Sequence, residues 1–187
     1  AKEVLLSVKE KSISFEVFSD ELDDMYRQAM ILRDLGKNVW VKIPVSNTKG
    51  EYTYSLIKKL SNEGVKLNIT AIFTIEQIEQ VYSSLNPSVN SIISIFAGRI
   101  ANAGIDPEDT MKYATNLAIG DDNIETLWAS SREVFNIIQA ERCGTDIITL
   151  TPGLIKSMKD LGKDLNQYSL ETVKMFYDDA QESGFTL

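Results

Sequence analysis

Histidine is absent from the 187 residues, and cysteine occurs once, at position 143. Without histidine, serine-histidine triads, imidazole general bases and histidine-ligated metals are excluded, and a lone thiol cannot build a zinc site. One cysteine forms no internal disulfide, which fits a reducing compartment, the cytoplasm. Long apolar runs are missing as well. None approaches the ~18 residues of a membrane helix, so no membrane partner is expected. The segment Ala1 to Lys11 mixes charges with Leu and Val at helical spacing, which is not the pattern of a signal peptide. Positive charge is scarce: 19 Lys and Arg against 27 Asp and Glu leave a net charge of −8. That disfavours a nucleic-acid surface while leaving room for a local phosphate site. Catalysis, if any, falls to Lys, Asp, Glu, Ser, Thr, Tyr or Asn.

What is present is regular alternation. Short β-rich runs at Ser14–Ser19, Val39–Ile43, Lys66–Thr70, Ser91–Ala97, Glu125–Ala129 and Asp146–Leu150 begin 21 to 34 residues apart. That spacing suits βα units, whose parallel strands need a helical crossover. Val39-Trp40-Val41 and Ile92-Ile93-Ser94-Ile95-Phe96 are apolar at nearly every position, as in strands covered on both faces. Helix signals fill the intervals. Asp20 or Glu21 opens a run closed by Gly36, Thr74-x-x-Gln77 has capping-box spacing, and Asp106-Pro107 reads as a cap followed by proline. Ser131–Cys143 ends at Gly144, and a last helix runs from Ser169 to Ser183 before Gly184. Alternation of this kind means a doubly wound sheet or a (β/α)8 barrel. No GxGxxG follows a strand, which removes support for a dinucleotide fold. A barrel takes about 250 residues, and six strands fall short of eight.

Alternate residues of a strand share a face, and by that rule each run sets a polar group near its C-terminal end. Lys42 faces with Trp40, Asn68 with Thr70, and Ser94 with Phe96; Glu16 stands between Phe15 and Val17; Trp128 shares a side with Ser130, with Arg132 just beyond. Strand C-terminal ends are where barrels and open α/β sheets carry their sites. Each residue alone has a plain reading. Lys42 is either a strand-end lysine reaching solvent or a buried amine whose pKa falls with desolvation, making it a nucleophile towards a carbonyl. Glu16 is a paired or solvated carboxylate, Asn68 and Thr70 bond neighbouring backbone, Ser130 with Arg132 is a helix cap beside a surface arginine, and Arg99 is a loop cation. Together they place a lysine, a carboxylate, amide and hydroxyl groups and two arginine forks suited to a phosphate at one end of the sheet. Tyr113, Trp40 and Trp128 are expected to be packing residues, Asp121-Asp122 a solvated loop pair, and Cys143 an inert thiol at a helix end.

The segments Val39-Trp40-Val41-Lys42-Ile43-Pro44, Leu67-Asn68-Ile69-Thr70-Ala71-Ile72-Phe73, Ser94-Ile95-Phe96-Ala97-Gly98-Arg99-Ile100, Ala129-Ser130-Ser131-Arg132 and Thr149-Leu150-Thr151-Pro152 resemble, in order, the transaldolase family and its short, bacterial-type branch. The resemblance implies a (β/α)8 TIM barrel, a Schiff base on Lys42, and proton handling by Glu16 and Thr70 through a water. It implies contacts from Asn68 and Ser94 to dihydroxyacetone hydroxyls, an aromatic pocket wall at Phe96, and a phosphate site of Arg99, Ser130 and Arg132. Sugar phosphates are the implied substrates, with no cofactor. Related fructose-6-phosphate aldolases have glutamine at the Glu16 position and tyrosine at the Phe96 position, so this chain looks like a transaldolase. An aldolase and a non-catalytic sugar-phosphate-binding fragment stand as alternatives. The family also has an aspartate on its first strand and Thr-Asn-Pro on its second, and neither is in this sequence. The expectation is therefore one N-terminally incomplete domain over residues 1–187, with the first two strands missing from this chain and the third to eighth present. Short-branch relatives assemble through a C-terminal helix, which makes a homo-oligomer an expectation, with Ser169–Ser183 packed on a neighbour or on its own barrel.

Overall fold

Consecutive Val, Ile and Leu residues form strands whose two faces meet different surroundings, and this difference organises the molecule. The computed structural model describes residues 2–184. Six strands, β1 (Ile13–Glu16), β2 (Val39–Pro44), β3 (Leu67–Ile72), β4 (Ser91–Ile95), β5 (Ile124–Trp128) and β6 (Ile147–Ile148), pair in sequence order into one all-parallel sheet. The sheet curls into an open barrel two strands short of eight, as the alternation and the resemblance imply. The helices are α1 (Lys2–Ser7), α2 (Leu22–Arg33), α3 (Tyr54–Asn62), α4 (Ile75–Ser84), α5 (Ala97–Asn102), α6 (Glu108–Ala118), α7 (Phe135–Arg142), α8 (Pro152–Ser157) and α9 (Leu165–Ser183).

The main core lies between the convex face of the sheet and the helices. Val41, Ile43, Leu67, Ile69, Ile93, Ile95 and Trp128 interleave there with Met25, Ala29, Ile57, Leu60, Ile78, Val81, Met111 and Ala114. The alternate residues point to the concave face, where a smaller cluster forms from Ile92, Leu127 and Ala129 with Trp40, Phe96 and Ile147 against it. Trp128 and Trp40 are thus packing residues on opposite faces, and Tyr113 packs at the edge of the main core. Burial on both faces holds for β3 and β4; β2 is fully buried on its helix side and half-buried on its concave side.

Several boundaries differ from the sequence reading. The fourth strand stops at Ile95 because Phe96 caps α5, while the Gly98 amide donates to the Ala129 carbonyl. The sixth shrinks to two residues because Asp146 turns its carboxylate onto the Thr126 amide and hydroxyl, 2.7 and 2.9 Å away. Helix α7 starts at Phe135, since the Asn136 side-chain carbonyl accepts from the Arg132 and Glu133 amides and turns the chain there. Helix α9 starts four residues ahead of Ser169, capped by Asp164, whose carboxylate accepts from the Gln167 amide. The first helix is limited to Lys2–Ser7; Ala1 lies outside the described residues. Helix α3 fills the crossover that the strand spacing calls for without a local cap signal, and its Thr53 cap makes no side-chain capping bond. Asp121 is no solvated residue: it is half-buried and accepts a hydrogen bond from the Tyr82 hydroxyl. No residue of α9 is buried, and Leu165, Val173, Phe176 and Tyr177 remain exposed.

The capping box at Thr74 forms in full: the Thr74 hydroxyl accepts from the Gln77 amide, and the Gln77 side chain accepts from the Thr74 amide. Thr74→Ala strips one of these bonds and leaves an α4 amide unpaired. It is expected to lower the unfolding free energy by about 0.5–2 kcal/mol, read from the denaturant midpoint at constant m-value.

Candidate active site

Register fixes the site. Parallel pairing sets Glu16 opposite Lys42 and Lys42 opposite Asn68, so three strands deliver a carboxylate, an amine and an amide in one row on the concave face. The Lys42 ammonium lies 3.5 Å from the Glu16 carboxylate. Asn68 is buried and donates from Nδ2 to the Ser14 hydroxyl at 3.0 Å, while its Oδ1 is buried without a partner. Ser94 is buried on the next strand. A concavity of about 380 Å³ joins these groups, with Lys42, Asn68, Ser94, Phe96 and Ser130 in its wall. Five of the nine residues singled out in the sequence therefore share one space, and Glu16 reaches it through Lys42.

Lys42 is less sequestered than a buried-strand amine was expected to be. Its side chain is 29% exposed and that of Glu16 48%. Both stand towards β1, the edge strand of the sheet among the described residues.

Thr70 pairs with Pro44 one step beyond this row and does not line the concavity. Its hydroxyl is buried and unpartnered. Register with β4 shifts around it, between Ile69 and Ile72, and Ala71 takes a left-handed φ of 59°. A bulge re-aims side chains in this manner.

Ser130 also has a left-handed φ, 66°. That turn breaks strand alternation, so Ser130 does not share a side with Trp128: Trp128 packs in the convex core and Ser130 lines the concave pocket. The same turn lies against α5. A Cβ on Gly98 would come within 1.8 Å of the Ser130 carbonyl oxygen and 3.3 Å of the Arg132 stem, so only glycine allows this approach. Arg99 follows directly on α5 and Arg132 follows Ser130, which brings the two arginines from adjoining backbone segments. Both are exposed. Arg99 stacks its guanidinium 5.5 Å from the Phe96 ring, and among the described residues neither arginine is held in an ion pair.

Ser14 is the residue missed. It shares a face with Glu16, and the same alternation that marked Glu16 would have found it. Thr149 and Ile147 complete the wall from the β6 side.

A primary amine beside a carboxylate can add to a carbonyl while the carboxylate moves protons; Arg99 and Arg132 do not line the concavity, and their exposed guanidinium groups suit an anion. A larger hollow of about 730 Å³, at the opposite end of the sheet, lacks such a nucleophile. Its Lys112 is held protonated by the hydrogen bond it donates to the Glu108 carboxylate, 3.0 Å away. Burial, with Asp146 adding to it, raises the Glu125 carboxyl there. Burial first, and then Glu108, pushes the Cys143 thiol up to about 11. No described helix is long and apolar enough to cross a membrane, and no group of metal-ligating side chains occurs among the described residues.

A family model described as transaldolase/fructose-6-phosphate aldolase matches residues 1–187. A protein of Nitrosopumilus maritimus named "Probable transaldolase" is 28% identical over 160 residues, covering 84% of this chain and 68% of that protein. A Clostridium perfringens protein of the same name is 30% identical over 159 residues, 83% of this chain and 69% of its own length. Among solved structures, a mandelate oxidase with an FMN adduct superposes with a TM-score of 0.56 over 80% of this chain and 50% of that one, at 10% identity, a likeness of fold alone.

The Cys143 thiol gives a pH prediction. A thiol whose native pKa is raised from 9.0 to about 11 supports the fold fully below pH 9 and loses that contribution as pH climbs towards 11. Iodoacetamide at pH 8, followed by mass, is expected to modify the native protein far more slowly than the urea-unfolded chain.

Proposed function

The chain belongs to the transaldolase/fructose-6-phosphate aldolase family, and on that premise we propose that it transfers a dihydroxyacetone unit between sugar phosphates through a Schiff base on Lys42. The observation that supports this reading is the row Glu16–Lys42–Asn68 set by strand register, with Ser94 and Phe96 around the same concavity. The Lys42 amine attacks the ketone carbon of fructose 6-phosphate or sedoheptulose 7-phosphate. The carbinolamine loses water, its oxygen protonated from Glu16, and an iminium remains. The iminium draws in the electron pair of the C3–C4 bond as the C4 hydroxyl passes its proton to the Glu16 carboxylate, left ionised by the dehydration. The aldose phosphate departs, and a three-carbon enamine stays on Lys42. It adds to the aldehyde of glyceraldehyde 3-phosphate or erythrose 4-phosphate, and water then hydrolyses the new iminium. Asn68 and Ser94 hold the dihydroxyacetone hydroxyls, and Arg99, Ser130 and Arg132 hold the distal phosphate, fixing the reacting carbon over the amine.

Residues 1–187 act as one barrel-type domain in this reading, and its sugar-phosphate chemistry belongs in the cytoplasm. Glu16 and Phe96 favour transfer over simple aldol cleavage. A second reading, sugar-phosphate binding without turnover, is favoured by one feature. Among the described residues, no aspartate lines the concavity as a dedicated base for the C4 hydroxyl.

Two experiments separate these readings. Borohydride added with dihydroxyacetone is expected to leave one reduced three-carbon adduct, mapped by peptide mass to Lys42 and abolished in Lys42→Met; an adduct confined to other lysines removes the Schiff-base reading. Arg132→Ala is expected to raise the half-saturating concentration of fructose 6-phosphate about ten- to hundredfold, measured by the same trapping, with no comparable change for unphosphorylated dihydroxyacetone. Trapping without release of an aldose phosphate favours the binding reading.

A further inference from the structure

The hydrogen bond from Asn68 to Ser14 joins β1 to β3 across the intervening β2, although the two residues are 54 positions apart in sequence. Ser14 sits level with Trp40, and Asn68 level with Lys42, so the bond runs diagonally between the levels of those two side chains. Ser14 and Asn68 both line the concavity that holds Lys42. One end of the Asn68 amide is therefore occupied by protein, and the other end, Oδ1, is buried with no partner. A buried carbonyl oxygen left without a donor is destabilising, and a ligand that brings a hydroxyl there relieves that cost.

Resting on the Schiff-base reading above, we infer that Ser14 is a positioning residue: it anchors the Asn68 amide so that Oδ1 selects a ketone carrying a hydroxyl next to its carbonyl. Ser14 touches no reacting atom in this scheme. It acts by restricting the Asn68 side chain, which pre-organises an acceptor beside the amine. Without the anchor, Asn68 regains rotamer freedom and the site loses its means of telling a hydroxylated ketone from a bare one.

The test compares dihydroxyacetone with acetone, a ketone without hydroxyls, by borohydride trapping at Lys42 in the wild-type chain, Ser14→Ala and Ser14→Thr. The quantity read is the ratio of the two half-saturating concentrations. Ser14→Ala is expected to reduce the preference for dihydroxyacetone about tenfold, the equivalent of one net hydrogen bond, and Ser14→Thr, which keeps the hydroxyl, is expected to restore it. A purely structural effect of Ser14 would weaken trapping of both ketones alike, and an unchanged ratio overturns the inference. A second reading is independent of ligand. The Asn68 side-chain amide protons in the NMR spectrum are expected to be protected from exchange in wild type and Ser14→Thr and to lose that protection in Ser14→Ala. Equal protection in all three overturns the anchor. If the wild-type chain itself takes up neither ketone at Lys42, the Schiff-base reading falls and takes this inference with it, a result distinguished from failure at Ser14 by the blank wild type.

Discussion

In-register parallel pairing across β1, β2 and β3 is the constraint on which the site depends. It sets Glu16, Lys42 and Asn68 side by side. Because side chains alternate with a period of two, a slip of one residue in β2 would drive Lys42 into the convex core and bring Val41 or Ile43 to the concave face. Burial prevents that slip. Val41 and Ile43 are completely buried among the helices, and exchanging either for a lysine there would strand a charge in an apolar layer. The convex core thus holds the register, and the register holds the site.

The two faces divide the work. The convex face is dense and apolar, assembled from Val, Ile and Leu against α2, α3, α4 and α6. The concave face carries only a small apolar cluster and is free to present polar groups. Its rim is shaped by backbone of restricted kind: the left-handed turns at Ala71 and Ser130, and Gly98 where α5 meets the Ser130 carbonyl. Left-handed non-glycine residues cost on the order of 1–3 kcal/mol each and gather where surrounding structure dictates them. Ser130 is itself in the proposed phosphate site, and Ala71 lies where the register of β3 with β4 shifts.

The sequence made much of this legible. Six strands followed from the spacing of apolar runs, since a parallel sheet covered on two faces leaves little choice of residue; their order came with the resemblance, because spacing alone left a doubly wound sheet open. The Thr74–Gln77 box was readable because its chemistry is local. What failed was non-local or irregular. Alternation placed Ser130 with Trp128, and a single positive φ undid it. Cap signals at Ser131 and Ser169 were outcompeted by the Asn136 and Asp164 side chains, one by turning the chain and the other by starting the helix earlier. The exposure of Lys42 depends on how many strands stand beyond β1, which no residue within the strand encodes. Ser14 itself was open to the alternation that marked Glu16, but its bond to Asn68, 54 residues away, exists only once the strands pair.

The central claim is covalent: a ketone carbon joined to Lys42 with its hydroxyls held by Asn68 and Ser94. A crystal structure of the protein after reduction in the presence of dihydroxyacetone tests it most directly. The account predicts continuous density from Lys42 Nζ into a three-carbon ligand, with Asn68 Oδ1 within hydrogen-bonding distance of a ligand hydroxyl. An unmodified Lys42 still paired with Glu16, with the ligand bound elsewhere, would contradict it.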